Sequence, residues 1–517
     1  MDRRFRRNVL VSGVAFFVST MPACLASDWP QFRGGQTLSG AAPATSGTML
    51  TPVWNVRLPS LIVGGATFGP GISASAAIAT VTIGGVQRRT VFIASQNTHV
   101  YAFDAGTGNL LWEAAAGDRI ESTPLVRDNV VYFVTSGGSL TALDAATGSS
   151  LWVHNSGGWQ DRASPNFSGT NIICCTGYPK KDIYAVPAGF ANPAPEAWHF
   201  STLQFVYSSP AVDPATQNIY CASQDGYVYG LKPDGTALWS TPFYTNGGIF
   251  RASPAFGNGR VYITGGNYDW NLHAIDAATG SLAWDAPMRP VPDPDTLSPF
   301  DYKNAIISSA AADGNFICLA GGYCNNLGTS QLYAYRDDGA TGTLLWKTPL
   351  PNRSQQYLSS PAVTPSSVIV GVAAATDPAH PTWPTGRVYV ADRTTGATVW
   401  YSAGSSAYTG GPILASPAVS GDLVVVGDTS GLVSAYQAVP GGDADGDGVV
   451  TVLDAVNLMN VSSGDGIGSP MQTLRADVYP RDTVSPDALR SFGDGKITPG
   501  DVDRVLARAV GLELDLP

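Results

Sequence analysis

The residues with the plainest chemistry lie near the end of the chain. Asp443, Asp445 and Asp447 alternate with small residues, and Asp454 follows seven positions after the last of them. Numbered from Asp443, the carboxylates fall at positions one, three, five and twelve, with Thr451 at nine. Gly448 at six allows a sharp turn, and Val449 at seven offers a backbone carbonyl. Hard oxygen donors at this spacing can wrap a calcium ion within one short loop. Val452, Ala455, Val456 and Met459 then recur at helical spacing, so a helix leaves the loop with one apolar face. A second loop is weaker. Asp494 and Asp501 match positions five and twelve, but Arg490 and Phe492 occupy one and three. Its helix continues through Val502, Val505, Leu506, Ala509 and Val510.

Other reactive types are sparse. The five histidines are scattered without metalloprotease spacing, and neither a GxSxG elbow nor a phosphate-binding loop occurs. Of six cysteines, Cys174 and Cys175 are adjacent within Ile172–Cys175, a run that reads as a buried strand, where a thiol packs as a small hydrophobe. Cys318 and Cys324 are the pair expected to form a disulfide, joining a strand to the loop that follows it.

These groups must be carried by a scaffold, and the scaffold is repetitive. Leu125 to Trp152 reads as three short strands and the start of a fourth, separated by turns at Ser136–Ser139 and Asp144–Gly148. The pattern AxDxxTGxxxW fits Ala102–Trp112, Ala142–Trp152 and Ala274–Trp284, and Val390–Trp400 fits with valine leading. A second marker follows each tryptophan: Ser122-Thr-Pro, Ala163-Ser-Pro, Ser208-Ser-Pro, Ala252-Ser-Pro, Ser359-Ser-Pro and Ala415-Ser-Pro, with weaker versions at Ser308 and at Ser73–Ala77. Four-stranded units that cannot cover both faces alone imply a propeller. AxDxxTGxxxW resembles the tryptophan-docking motif of the pyrroloquinoline quinone (PQQ)-like propeller repeat family, over roughly residues 28 to 437.

Trp54 lies on a strand that lacks the rest of its blade, and the last repeat, Ala415–Gln437, lacks a tryptophan strand. Pro52–Arg57 is therefore expected to complete the eighth blade and to remove two open sheet edges. Calling the strands of a blade A to D from the Ser-Pro marker outward, the B–C turns and D–A connections share one end of the ring. Nearly all long segments are of these two kinds, including Leu58–Ile72, Asn155–Arg162, Ala286–Asn304 and Ala375–Gly386. Loops on a rigid scaffold are where binding usually sits. That end offers Trp159, Arg162, Arg251, Tyr268, Trp270, Tyr302, Lys303, Arg353, Tyr357, Trp383 and Tyr408 as candidate ligand-binding residues. Arg162 and Arg251, two residues ahead of their Ser-Pro markers, are expected at the mouth of the central channel.

The propeller family includes quinoprotein alcohol dehydrogenases as well as outer-membrane assembly scaffolds that carry no cofactor. In the dehydrogenases an adjacent cysteine pair closes a disulfide ring over the quinone, a role that Cys174-Cys175 would have to fill. Its place in a buried strand argues against that role, and no CxxCH haem site is present. PQQ is therefore not expected. The calcium loops resemble the two halves of a type I dockerin, related to the EF-hand but with aspartate where the EF-hand has glutamate at position twelve. The resemblance implies a cohesin-like or other protein partner and hints at polysaccharide-degrading assemblies.

Residues 1–26 read as a signal peptide, with Arg3, Arg4, Arg6 and Arg7 ahead of an apolar run and a small-residue cleavage site after Ala26. No other apolar run is long enough to span a bilayer. A net charge of −11 without a basic cluster excludes nucleic acid as an expected partner. The expected protein is mainly β, an eight-bladed propeller of four-stranded antiparallel blades over residues 27–438. A linker at 439–442 follows, then a small α-helical, EF-hand-like, dockerin-like domain at 443–512. The reading is of an exported, non-catalytic protein, extracellular, at the cell surface or periplasmic, that binds a protein or glycan on its loop-rich face. The alternatives are a PQQ-dependent quinoprotein dehydrogenase and a carbohydrate-binding component of a polysaccharide-degrading complex.

Overall fold

The structure, a computed structural model, describes residues 28–42, 47–160, 162–189, 195–249, 251–265, 269, 271–288, 306–322, 330–350, 359–377, 380–402, 411–439 and 454. Its strands form eight antiparallel blades, the first seven built from strands close together in sequence. The first blade is Ala77–Ile83, Val86–Ala94, His99–Asp104 and Leu110–Ala115. The eighth closes the ring as expected. Met49–Arg57 pairs with Leu432–Val439, from Met49 opposite Val439 to Arg57 opposite Leu432, so both ends of the propeller chain share one sheet.

The tryptophan motif can now be explained letter by letter. The leading alanine lies directly across the strand pair from the tryptophan, as Ala102 does from Trp112 and Ala274 from Trp284, so a small side chain faces the indole. Where the fourth blade has Gly230 instead, a Cβ there would lie 2.6 Å from Trp239. The aspartate turns the chain: Asp104 Oδ1 accepts from the Gly106 and Thr107 backbone N–H groups and from Thr107 Oγ1. The glycine has positive φ, 72° at Gly108, and sits beneath the tryptophan of the preceding blade. That tryptophan donates its indole N–H to the residue after the aspartate: Trp54 to Ala105 O at 2.9 Å, Trp112 to Ala145 O at 2.9 Å, Trp239 to Ala277 O at 3.0 Å, Trp346 to Arg393 O at 2.9 Å. Trp400 is different. It faces the eighth blade, whose C and D strands come from opposite ends of the propeller chain and have no DxxTG turn between them. Its buried indole N–H has no acceptor among the described residues, and the ring packs edge-on to Tyr436 instead.

The Ser-Pro markers form a second and more regular connection. Around the channel, each backbone N–H of one marker donates to the hydroxyl of the next. The circuit runs Ser75 to Thr123, Ser164, Ser209, Ser253, Ser309, Ser360, Ser416 and back to Ser75, with every bond between 2.8 and 3.1 Å. The residue before the ring member acts within its own blade. Ser122 Oγ accepts from Val134 N and Ser208 Oγ from Ala222 N, lengthening the A–B ladder by one bond.

Residues 28–42 cross the other end of the channel and bond to seven blades in turn. Trp29 pairs with Ile78, and the backbone N–H groups of Val126, Val212, Phe256, Ala312 and Val363 donate to Pro30, Gln36, Thr37, Ser39 and Gly40. Gln31 and Gln36 reach the third blade at Asn166 and Phe167. Arg33 is 2 % exposed and donates to the carbonyls of Leu38 and Ala310. Burial without a carboxylate partner among the described residues lowers its pKa to about 9.

Two expectations change. Ala375–Gly386 is not a loop: strands Ser367–Asp377 and His380–Asp392 continue past the blade as a hairpin, with Ala375 opposite Thr385 and Asp377 opposite His380. Leu58–Ile72 likewise contains a hairpin, Leu61–Val63 with Ala66–Phe68, turning at Gly64-Gly65. The signal segment, the linker after Val439 and the calcium loops lie outside the described residues except for Asp454, which is helical and buried.

Replacing Ser253 by alanine leaves the buried Ser209 N–H without its acceptor, at a cost of about 1–3 kcal/mol. Chemical denaturation of S253A is expected to show that loss, and S253T to recover most of it, because Thr123 holds the same position in the second blade.

Candidate functional site

Because the A strands enter the blades from the loop-rich end, the hydroxyl ring lies toward that end and residues 28–42 lie at the other. Arg162 and Arg251 stand two residues ahead of ring members Ser164 and Ser253. Both hold positive φ, 64° and 70°, and both are partly buried. The third and fifth blades thus each carry an arginine in the same left-handed conformation just ahead of the ring, one that non-glycine residues adopt only when their surroundings impose it.

Trp159 is 64 % exposed and tied to the next blade by paired backbone bonds: its N–H donates to Tyr178 O at 2.7 Å, and its carbonyl accepts from Gly177 N at 2.6 Å. Its ring meets Tyr178 edge-on at 5.8 Å. Tyr178 meets Phe205 at 6.0 Å, and Phe205 meets Tyr207 at 6.0 Å, so four aromatic rings run in a row across the second to fourth blades. Tyr178 and Leu203 are 55 % and 66 % exposed, and Lys181 Nζ donates to Leu203 O. Gly177 lets Tyr207 lie against the backbone, since a Cβ there would be 2.4 Å from the ring. On the same end, Ile62 is 76 % exposed in the Leu61–Phe68 hairpin. Arg119 lies over the ring of Phe68 at 5.6 Å.

The sequence reading singled out Trp159 but missed Tyr178, Leu203, Phe205 and Tyr207, because their connections are short and length was the criterion. The usable signal was position: Phe205-Val206-Tyr207 directly precedes the Ser208-Ser209-Pro210 marker, in the same kind of connection as Trp159. Trp383 falls on the strand His380–Asp392, its side chain not described. Tyr268, Trp270, Tyr302, Lys303, Arg353, Tyr357 and Tyr408 lie outside the described residues.

Cys174 and Cys175 are both buried, with alternating strand geometry sending their thiols to opposite faces of the third blade. Cys174 packs with Tyr132, Trp152 and Tyr184 toward the second blade, whereas Cys175 packs with Val206, Cys221 and Tyr229 toward the fourth. Burial pushes both thiols well above their ordinary range. Neither lies where a disulfide ring could cover a quinone in the channel, so these residues do not fit that cofactor. Cys318, half of the expected disulfide, is a buried free thiol in mid-strand opposite Ala334; Cys324 lies outside the described residues. Of the histidines, His273 is buried, with Nε2 2.7 Å from Asp269 Oδ2 and its ring edge-on to Phe243. Among the described residues no group of three His, Cys, Asp or Glu side chains gathers as a metal site.

A cleft of about 900 Å³ opens at the opposite end, between residues 28–36 and the A–B turns of the first three blades. Sequence reading gave no sign of it. Its amides serve the protein itself: Gln31 donates to Asn166, Gln36 to Phe167 O, and Asn129 pairs with Thr82.

A family model described as outer membrane protein assembly factor BamB matches residues 42–186, 224–295 and 273–449. The assembly factor BamB of Shewanella oneidensis is 26% identical over 206 residues, 38% of this chain and 41% of that protein. The chain thus matches about two fifths of that relative's length. Among solved structures, BamB from Moraxella catarrhalis covers 75% of this chain and 97% of its own with a TM-score of 0.52 at 17% identity. The quinohemoprotein alcohol dehydrogenase of Comamonas testosteroni covers 80% of each chain with a TM-score of 0.57 at 13% identity. At these identities the structural likenesses establish the fold alone.

Asp428, in the B–C turn of the eighth blade, is buried at the loop-rich end, where Oδ1 accepts from Ser430 N, Ser430 Oγ and Leu432 N. Desolvation raises its pKa despite these bonds. The folded chain therefore keeps this proton to higher pH than the unfolded chain. Stability from this residue falls as pH rises from the ordinary carboxylate range through the raised folded value, and is greatest below both. Asp428→Asn keeps the accepting oxygen without the charge. Thermal denaturation of D428N is expected to lack that fall, so that its margin over the wild type widens with pH across this window and then levels off.

Proposed function

The chain belongs to the family described as outer membrane protein assembly factor BamB, and we propose that it is an exported, non-catalytic propeller that binds a partner protein on its loop-rich end. One observation carries this reading: Trp159, Tyr178, Leu203 and Ile62 are large apolar side chains more than half exposed, all in D–A or B–C connections. Aromatic and aliphatic groups exposed together on a rigid surface, with Lys181 and Arg162 beside them, have the composition of a protein-binding patch. A relative named for the assembly of outer-membrane proteins supports a protein partner and an exported location. No helix among the described residues is long and apolar enough to cross a membrane.

Exposed rings such as Trp159 and Tyr178 also suit the faces of sugars, which favours a glycan as the second reading. The dockerin-like tail is proposed as a calcium-binding attachment module for a separate protein, cohesin-like or of another kind. Its ligands are Asp443, Asp445, Asp447, Val449, Thr451 and Asp454, with a weaker site at Asp494 and Asp501. The placement of Cys174 and Cys175 weighs against the quinoprotein alternative.

A photo-crosslinking residue at position 159 or 203 in the producing cell is expected to capture one discrete protein. Positions 110 and 344, about half exposed on outer strands, should not. Equal capture at all four, or none at 159 and 203, overturns the partner reading, and loss of glycan retention in Trp159→Ala would replace it with the second. Reconstitution of the full chain with calcium and PQQ, followed by dialysis, is expected to retain calcium and release the quinone. Asp445→Ala should lose that calcium. Retained quinone with dye-linked alcohol oxidation would make the protein an enzyme.

A further inference from the structure

We propose that Cys175 and Cys221 close into a disulfide that joins the third blade to the fourth. The two sulfurs are 3.9 Å apart, on the B strands of neighbouring blades, 46 positions apart in sequence. Cys175 pairs with Ile183 and Cys221 with Tyr229 in their own sheets, and both thiols project into one apolar layer with Ile173, Val206 and Val212. A disulfide is about 2.05 Å long, so the sulfurs must approach by roughly 2 Å. The blades are already held together beside them: Ser164 N donates to Ser209 Oγ at 2.8 Å, and Asn166 Nδ2 to Pro210 O at 2.8 Å. Both are free thiols in the structure, in a layer pinned on its inner edge, so closing the bond requires the two sulfurs to turn toward each other.

The competing pair is excluded by direction. Cys174 precedes Cys175 on the same strand, and its thiol faces the second blade beside Tyr184. Cys318 lies in another core layer, among the sixth and seventh blades.

The chemistry fixes when the bond forms. Cys175 and Cys221 are each at most 1 % exposed, so no oxidant reaches them in the folded ring, and burial keeps the Cys175 thiol protonated. Thiolates, not thiols, exchange. The step therefore belongs to the time before the two blades dock. One cysteine thiolate attacks a disulfide-bonded oxidant, giving a mixed disulfide and one free oxidant thiolate. The second cysteine thiolate then attacks the sulfur of the first, forming the S–S bond and releasing the other oxidant sulfur. Two thiols are oxidised, one disulfide is reduced to a dithiol, and the two protons end on that dithiol. The proposal rests on the export reading, because such oxidants persist outside the cytoplasm. Once the blades dock, the same burial shields the bond from reductants.

The test is peptide mapping of the full chain, alkylated under denaturing, non-reducing conditions. It is run on protein isolated from the producing cell and on protein refolded with oxidised glutathione. In both, a linked peptide pair containing Cys175 and Cys221 is expected, lighter by two hydrogens than the separate thiols. Cys174→Ser should keep the link, and Cys221→Ser should lose it and return one alkylated thiol at Cys175. Already folded, reduced protein should not acquire the link when oxidised glutathione is added. A link in the refolded protein but not in protein isolated from the cell refutes the export reading while leaving the pairing intact. Alkylation at both Cys175 and Cys221 in the refolded wild type, or a Cys174–Cys175 link, overturns the pairing itself and needs no variant to fold.

Discussion

The hydroxyl ring around the channel is the constraint on which the rest of the propeller depends. A blade's innermost strand begins where the chain leaves a loop, so its first backbone N–H has no strand partner and would be buried without an acceptor. The Ser or Thr of each marker resolves this for its neighbour, and eight such bonds satisfy one another only if the circuit closes. Closure in turn requires that the eighth blade sit against the first in register. That is why Met49–Arg57 must complete a sheet begun more than three hundred residues later. Tryptophan docking performs the same task on the outer strands, with an indole N–H reaching one blade ahead. Inner and outer connections together fix the angle between blades, and each is built from residues that recur along the sequence.

Recurrence is what made the fold legible. A pattern repeated in register reports a geometric environment repeated in space, so blade number, strand order and the closing strand could be read from spacing alone. The physical role of each letter could not. Serine in a marker looks like a turn residue until its hydroxyl is seen to accept from the neighbouring blade. Ala102 looks like filler until it faces Trp112. Features that occur once were hidden for the converse reason. Residues 28–42 follow no repeat, and their bonds to seven blades depend on a path that no local propensity encodes. Arg33 gives no hint in sequence that it is buried with only carbonyls as acceptors. At the candidate site, Trp159 was found because its loop is long, whereas Tyr178 and Phe205 sit on short connections and become a surface only when three blades stand side by side.

The two ends of the channel are consequently unlike. At one end residues 28–42 bridge the innermost strands and bury a guanidinium, an arrangement that costs desolvation energy and is recovered only through bonds made with the closed ring. That end is committed to holding the scaffold together, and the amides around its cleft are bonded to the protein itself. At the other end, the ring satisfies the backbone, and the connections above it lie outside the repeated docking motif. Within the motif the alanine, aspartate, threonine, glycine and tryptophan are all engaged in turn formation or docking. Chemistry or recognition must therefore come from the connections. What those connections hold among the described residues is a row of aromatic rings and an apolar hairpin, exposed surface that would gain free energy on leaving water. A scaffold that fixes such a surface so firmly loses little further conformational freedom on binding, which is the physical advantage of mounting a recognition face on a closed ring.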